Sequence, residues 1–185
     1  RITKAISALK HQAPDVVINI RMMPPNEIET AILDGKLHVG VVPDLKTLPG
    51  LDYVPLYKEK SLLYCGDTHP LFEQELDSIS DQALGQYDAV LPSYAQPAQI
   101  KQQQAMLHAT ATSTDREGIA FLILTGRYIG FLPTHFAERW MAQDKIRAIG
   151  EHTRSFHTHF SAITRKGAVS NLILDAYMQA LLSAQ

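Results

Sequence analysis

Apolar positions along this chain follow two rhythms: spacings of three and four that mark helices, and alternating or unbroken runs that mark strands. Ile2, Ala5, Ile6 and Leu9 form one helical stripe, which Pro14 closes. Val16 to Met22 is β-branched and mostly apolar and predicts a strand. Pro24-Pro25-Asn26 breaks that pattern. A helix then opens at Pro25 or Asn26, with Glu27 and Glu29 where the helix dipole favours carboxylates and Ile28, Ala31 and Ile32 as its stripe. Leu37 to Val42 predicts the next strand, and this β-α-β order implies parallel strands.

Farther on, Leu51 to Tyr57 and Ser61 to Cys65 predict two strands, with a loop from Gly66 to Leu71. Leu76 to Leu84 has a weak helical pattern, Ala89 to Leu91 a short strand, and Ile100 to His108 a glutamine-rich helix. Ala109 to Thr112 predicts a strand, and Ser113 or Thr114 the cap of a helix over Asp115 to Thr125. A strand (Tyr128 to Leu132), a helix (His135 to Ala142), a strand (Ile146 to Ile149), a longer strand (Phe156 to Thr164) and an amphipathic helix (Asn171 to Leu182) complete the order.

One unit of this pattern occurs twice. Ile28 to Asp34 runs through Gly35 into Leu37 to Val42 and Pro43; Ile119 to Leu124 runs through Gly126 into Tyr128 to Leu132 and Pro133. Each glycine suits the left-handed turn that closes a helix, and each proline stops a strand. Two α/β lobes of similar build account for the repeat. The expected boundaries fall near Tyr64 and Ser161, giving one lobe of 1–64 plus 161–185 and an inserted lobe of 65–160. Two chain crossings make a hinge, and a cleft between hinged lobes suits a small ligand.

Composition narrows the function. The chain has 185 residues, is 45% apolar and 19% charged, and carries a formal net charge of −2. That is a globular composition without the basic excess of a domain that itself grips nucleic acid. The single cysteine, Cys65, excludes an internal disulfide and a cysteine zinc cage, and fits a reducing cytoplasm. No apolar run approaches the roughly 18 residues of a membrane span, and no signal peptide is visible. Arg1-Ile2-Thr3-Lys4 lacks an initiator methionine and reads as starting inside a longer protein.

Four segments in this order resemble LysR-type transcriptional regulators: Pro14-Asp15-Val16-Val17-Ile18, Leu33 to Gly40, His69-Pro70-Leu71, and Leu124 to Pro133. The resemblance covers nearly the whole chain as the effector-binding domain. His38 stands where the family's second motif has an aspartate, and Tyr128 where its last motif has a second glycine. The resemblance implies a periplasmic-binding-protein-like (type 2) fold, two Rossmann-like lobes joined by two crossover strands, with a first strand and a winged helix-turn-helix upstream. It also implies a small-molecule effector, plausibly an organic acid, held in the cleft and altering oligomer geometry. DNA would be bound only through the upstream domain. Homodimers, and tetramers of the full-length protein, are expected, with Ile6, Leu9 and Lys10 and the helix Phe121 to Leu124 at interfaces. Neither cofactor, metal nor membrane is expected.

In such folds the ligand meets strand ends and helix N-termini, where free N–H groups and the dipole favour a carboxylate. Met23, Pro24 and Pro25 form one such turn, although Pro25 lacks an N–H. Ser93 and Tyr94 follow a strand as hydrogen-bond donor and wall. Thr112, Ser113 and Thr114 offer three hydroxyls at another strand end. Val42, Pro43 and Phe160 are candidates for the lining near the hinge. Each has a plainer alternative: a helix-opening turn, a polar turn, N-capping, or core packing. His157 and His159 share a strand face, but no third metal ligand stands at suitable spacing. Cys65 has no partner for redox sensing and reads as a small buried hydrophobe. No nucleophile elbow, phosphate loop or HExxH is present. Two rivals remain: a solute-binding protein of a transport system, and an enzyme on a similar fold, for which no convergent catalytic groups are seen.

Overall fold

The computed structural model describes residues 1–74, 79–169 and 171–184, which form two compact units. Unit 1 comprises 1–42, 46–56 and 161–185; unit 2 comprises 43–45 and 57–160. The helices are α1 (Ile2–Gln12), α2 (Pro25–Leu33), α3 (Asp81–Leu84), α4 (Ala98–Gln104), α5 (Arg116–Leu124), α6 (Thr134–Met141) and α7 (Leu172–Ser183). The strands are β1 (Gly40–Pro43), β2 (Leu51–Gly66), β3 (Asp88–Pro92), β4 (His108–Ser113), β5 (Ile129–Pro133), β6 (Ile146–Ile149) and β7 (Ser155–Arg165).

In unit 1, α2 covers β1 through a core of Ile32, Val42, Leu51 and Ile163, with Ile28, Leu33 and Leu37 around it. The Tyr53 hydroxyl donates to Glu29 Oε1 at 2.9 Å and accepts the Leu48 N–H at 3.2 Å, tying α2 to the loop before β2. α1 packs on α7, burying Ala5, Leu9 and Leu181. α7 is capped by Asn171, whose Oδ1 accepts from the N–H groups of Ile173 and Leu174.

Three expectations change here. Val16 to Met22 has strand composition but makes no ladder with any described strand. Val17 and Met22 are 82% and 80% exposed. β-Branched composition selects extended backbone, but a strand also requires a neighbour to hydrogen-bond, and this segment pairs with none of the described strands. The predicted strands 51–57 and 61–65 are instead one strand of 16 residues, β2, which carries Pro55 within it. The weak helix expected from Leu76 is seen only as α3; residues 75–78 lie outside the described residues.

Unit 2 is built on the strand order β2-β5-β3-β4, with β6 also on β2. β3 runs parallel to β4 and β5, whereas β2 is antiparallel to β5, pairing Ser61 with Pro133 and Tyr64 with Gly130. Both faces are covered. Leu63, Ala89, Ile129 and Ile149 pack with Leu71, Leu84 and Leu107 on one side. Leu62, Tyr64, Val90 and Leu132 pack with Ile119, Ala120 and Ile123 of α5 and Ala137 of α6 on the other. This explains the unbroken apolar run Leu62 to Cys65, because a strand buried on both faces loses its alternation. Full burial of each leucine or isoleucine contributes roughly 1.5–3 kcal/mol.

The repeated helix–glycine–strand unit is present in both units. Gly35 and Gly126 follow α2 and α5 with φ of 71° and 66°. A Cβ on Gly40 would come within 2.4 Å of Ile28 Cγ2, and one on Gly130 within 2.7 Å of Val90 Cγ1, so each strand admits its neighbours' side chains closely. The His69-Pro70-Leu71 segment is a loop lock: the Leu71 N–H donates to His69 Nδ1 at 3.1 Å, and the imidazole packs on Tyr87 at 5.0 Å. His69 and Leu71 are both buried.

Two predictions follow from this packing. At Gly126 a Cβ would meet Thr68 Oγ1 at 1.9 Å and the Thr68 carbonyl carbon at 3.1 Å, whereas at Gly167 (φ 68°) it meets nothing within 4 Å. Gly167→Ala should therefore cost only the left-handed strain of about 1–2 kcal/mol. Gly126→Ala should cost that plus overpacking of about 1–3 kcal/mol, read from urea midpoints at constant m-value. Burial lowers the pKa of His69 below its ordinary value. The unfolded chain then binds a proton that the native state refuses as pH falls through about 6.5. Stability should decline from that pH downward and level off below the native pKa, and His69→Gln should flatten that part of the pH profile.

Candidate functional site

The reversal between β2 and its neighbours assembles a site in unit 2. β3, β4 and β5 end at Pro92, Ser113 and Pro133, and because β2 runs the other way its early residues lie at these same ends. Converging there are Tyr57 and Glu59 from β2, Ser93 and Tyr94 after β3, and Ser113 at the end of β4. Arg116, the first residue of α5, and His135, the second of α6, join them.

Charge is concentrated in this rim. Glu59 Oε1 lies 3.6 Å from Arg116 Nη1 and 3.7 Å from His135 Nε2. The Glu59 side chain is only 10% exposed. Arg116 also stands over the Phe136 ring, its Cζ 5.6 Å from the centroid. Tyr94 lies in the same field: burial raises the pKa of its phenol, Arg116 opposes the rise, and Glu59 and Asp115 reinforce it. The Tyr57 phenol is likewise raised by burial first and Glu59 second. Both hydroxyls therefore stay protonated and can donate. Tyr57 stacks on Phe160 with centroids 5.2 Å apart, which gives the rim an apolar wall.

The structure accounts for the hydroxyl and turn candidates individually. Ser93 and Ser113 are brought together by the Ser93 N–H donating to the Ser113 carbonyl at 2.8 Å. Ser113 and Thr114 were the expected caps of the following helix, but the cap is Asp115, whose Oδ1 accepts the Gly118 N–H at 2.7 Å. Aspartate reaches this donor because the helix begins one residue later than expected. The Ser113 hydroxyl turns back onto Asp115, donating to its carbonyl and accepting its N–H. Thr112 and Thr114 are exposed. In unit 1, Met23, Pro24 and Pro25 are half-buried at the start of α2, which has no side-chain cap, and the Glu27 and Ile28 N–H groups both bond the Pro24 carbonyl. Val42 is fully buried in the core of unit 1. Pro43 ends β1 half-buried, and the next N–H, of Asp44, bonds the His159 carbonyl at 2.8 Å.

Glu59, Arg116 and His135 were not singled out from the sequence. Lys58-Glu59-Lys60 reads as a solvated charge run, and Asp115-Arg116-Glu117 as an ordinary helix start. The available signal was period two: in a strand, Glu59 shares its side with Tyr57 and Ser61, and Ser61 is buried.

Among the described residues no group of three or more His, Cys, Asp or Glu side chains is placed to hold a metal, and His157 and His159 are exposed on β7. No described helix is long and apolar enough to cross a membrane. Cys65 is fully buried, its thiol directed to the Arg147 carbonyl at 3.8 Å, and burial pushes its pKa up to about 12. The thiolate is the reactive form. Cys65 should therefore resist Ellman's reagent in the native chain and react stoichiometrically in denaturant; rapid native labelling would contradict this placement.

Comparison with known proteins adds the family. A family model described as the LysR substrate binding domain matches residues 1–185. The HTH-type transcriptional activator BauR of Pseudomonas aeruginosa is 46% identical over 181 residues, covering 98% of this chain and 59% of that protein. The chain thus spans about three-fifths of the length of this curated relative. Among solved structures, the effector binding domain of QuiR in complex with shikimate has a TM-score of 0.80 at 13% identity, over 98% of this chain and 88% of that one. A reduced form of OxyR from N. meningitidis has a TM-score of 0.74 at 19% identity, over 100% and 88%. At these identities the structural likeness establishes the fold.

Proposed function

The chain belongs to the LysR substrate binding domain family, and on that premise we propose that it is the small-molecule sensor of a LysR-type transcriptional regulator. The observation that supports this most is the rim of unit 2. Hydroxyl donors, an aromatic wall and a buried carboxylate with a guanidinium beside it meet at the ends of parallel strands, the place where open α/β sheets receive ligands. The effector is held there by Ser93, Tyr94, Thr112, Thr114 and Phe160, with Arg116 and Glu59 as the charged pair. Pro43, also of unit 2, supplies a further contact, and Met23, Pro24 and Pro25 at the start of α2 are the candidate contacts of unit 1.

The output is a shift between two states of the regulator, driven by the effector's different affinity for each. DNA is contacted by a helix-turn-helix element outside this chain, of the kind named for the 46% identical relative. The chain self-associates through exposed surface on α1 and α5. Phe121, 67% exposed on α5, is the largest apolar side chain of these two helices left in water. Leu9, by contrast, is turned into unit 1. The regulator works in the cytoplasm, and the bound molecule is sensed without being turned over.

A thermal-shift screen against organic acids, amino acids, aromatic acids and sugars, with light scattering on the same sample, tests this reading. A dimer stabilised by a defined class is expected, with about 2.7 kcal/mol gained when ligand is a hundredfold above Kd. Ser93→Ala and Tyr94→Phe should each weaken binding by about 0.5–1.5 kcal/mol through loss of one hydrogen bond. A monomer that no class stabilises would overturn the reading.

A further inference from the structure

The charged groups around the start of α5 narrow the chemistry of the ligand. Glu59 is nine-tenths buried, yet its ion pairs at 3.6 and 3.7 Å exceed good hydrogen-bond distance, and both fall on Oε1. Partners at this distance leave the carboxylate room for a closer donor. A cationic donor placed against it would form the short charge-assisted bond that the protein itself does not provide. Arg116 is the complementary half. Its side chain remains 32% exposed, and its planar fork of N–H donors matches a carboxylate.

The local field opposes a simple anion. Asp115 precedes Arg116 and has already taken the Gly118 N–H at the α5 N-terminus, so a protein carboxylate occupies the position a ligand carboxylate would use. Glu117 stands in the same first turn. Glu59 beside the Arg116 guanidinium and Asp115 next to Arg116 in the chain therefore set two carboxylates in this part of the rim. A ligand that is only an anion brings a further negative charge beside Glu59 and Asp115. A ligand that also carries an ammonium brings none, and gives Glu59 its missing partner.

We propose that the effector is an amino acid, with its carboxylate on the Arg116 fork, its ammonium on Glu59, and its body against Tyr94 and the Tyr57–Phe160 stack. This rests on the effector-sensing role proposed above and specifies the ligand class for the same rim. It replaces the plain organic acid expected from helix N-termini with a zwitterion.

The test is calorimetric titration of the chain with the protein amino acids and straight-chain ω-amino acids of two to six carbons. Each is paired with the same carbon chain lacking the amine, and sugars complete the panel. At least one amino acid should bind tenfold or more tightly than its amine-free partner. Glu59→Gln should bring that ratio close to one while leaving the affinity for the amine-free acid equal or better. Arg116→Gln should weaken both members of the pair at least tenfold. Should Glu59→Gln fail to fold, Glu59→Asp, which keeps the charge and withdraws it by one methylene, should still reduce the ratio. Equal binding of both members in the wild type, or a ratio unmoved by either Glu59 variant, would overturn the amino-acid assignment. A hit confined to amine-free acids or sugars would overturn it too, while leaving the sensor role standing. No binding from any class would overturn both.

Discussion

The antiparallel pairing of β2 with β5 is the constraint on which the rest of unit 2 depends. β3, β4 and β5 run together, and the crossover helices between them set their own N-termini at the strand ends. A fourth strand running the same way would have carried Tyr57 and Glu59 to the opposite edge. The reversed register, Ser61 on Pro133 and Tyr64 on Gly130, places them at the ends where α5 and α6 begin. A buried carboxylate then meets a guanidinium from a helix start more than fifty residues later in the chain. No local feature of either segment requires that meeting.

The same constraint separates what was legible in the sequence from what was not. The helix–glycine–strand–proline unit could be read twice because every part of it is local: a stripe at spacing three and four, a residue that tolerates positive φ, an apolar run and a stop. Gly35 and Gly126 adopt the conformations that pattern requires. The end of α5 was local and was placed correctly to within a residue, while its start was displaced because Asp115 competes with Ser113 and Thr114 for the same cap. Val16 to Met22 shows the limit of periodicity. Its β-branched composition favours extended backbone but cannot supply a partner strand, and it pairs with none of the described strands. Tyr94 and Phe160 could be proposed as a wall and a lining before any register was known, whereas the meeting of Glu59 with Arg116 needed the register itself. Charged residues flanked by other charges resemble solvated surface until a sheet fixes which of them turns inward.

Energetically the two kinds of buried polar group in unit 2 behave differently. His69 is satisfied: its Nδ1 accepts a backbone N–H, burial keeps it neutral, and it holds the loop that carries Leu71 into the core. Arg154, its side chain 9% exposed, shares its guanidinium among Asp81, the Ile79 carbonyl and Thr153, while its buried Nε has no partner. Glu59 is buried without the completeness of His69. Its nearest cations, Arg116 and His135, stand at 3.6 and 3.7 Å, beyond good hydrogen-bond distance.

Helix α5 has a consequence of its own. Its nine residues carry Arg116 at one end and the water-exposed Phe121 five positions on, about 7.5 Å along the axis. Ile119, Ala120 and Ile123 fix the helix to the sheet between and beyond them. A rotation or shift of this helix as a rigid body therefore displaces the guanidinium at its start and the outward phenyl ring together, so a change in how α5 seats on the sheet is felt at the rim and on the outer surface at once.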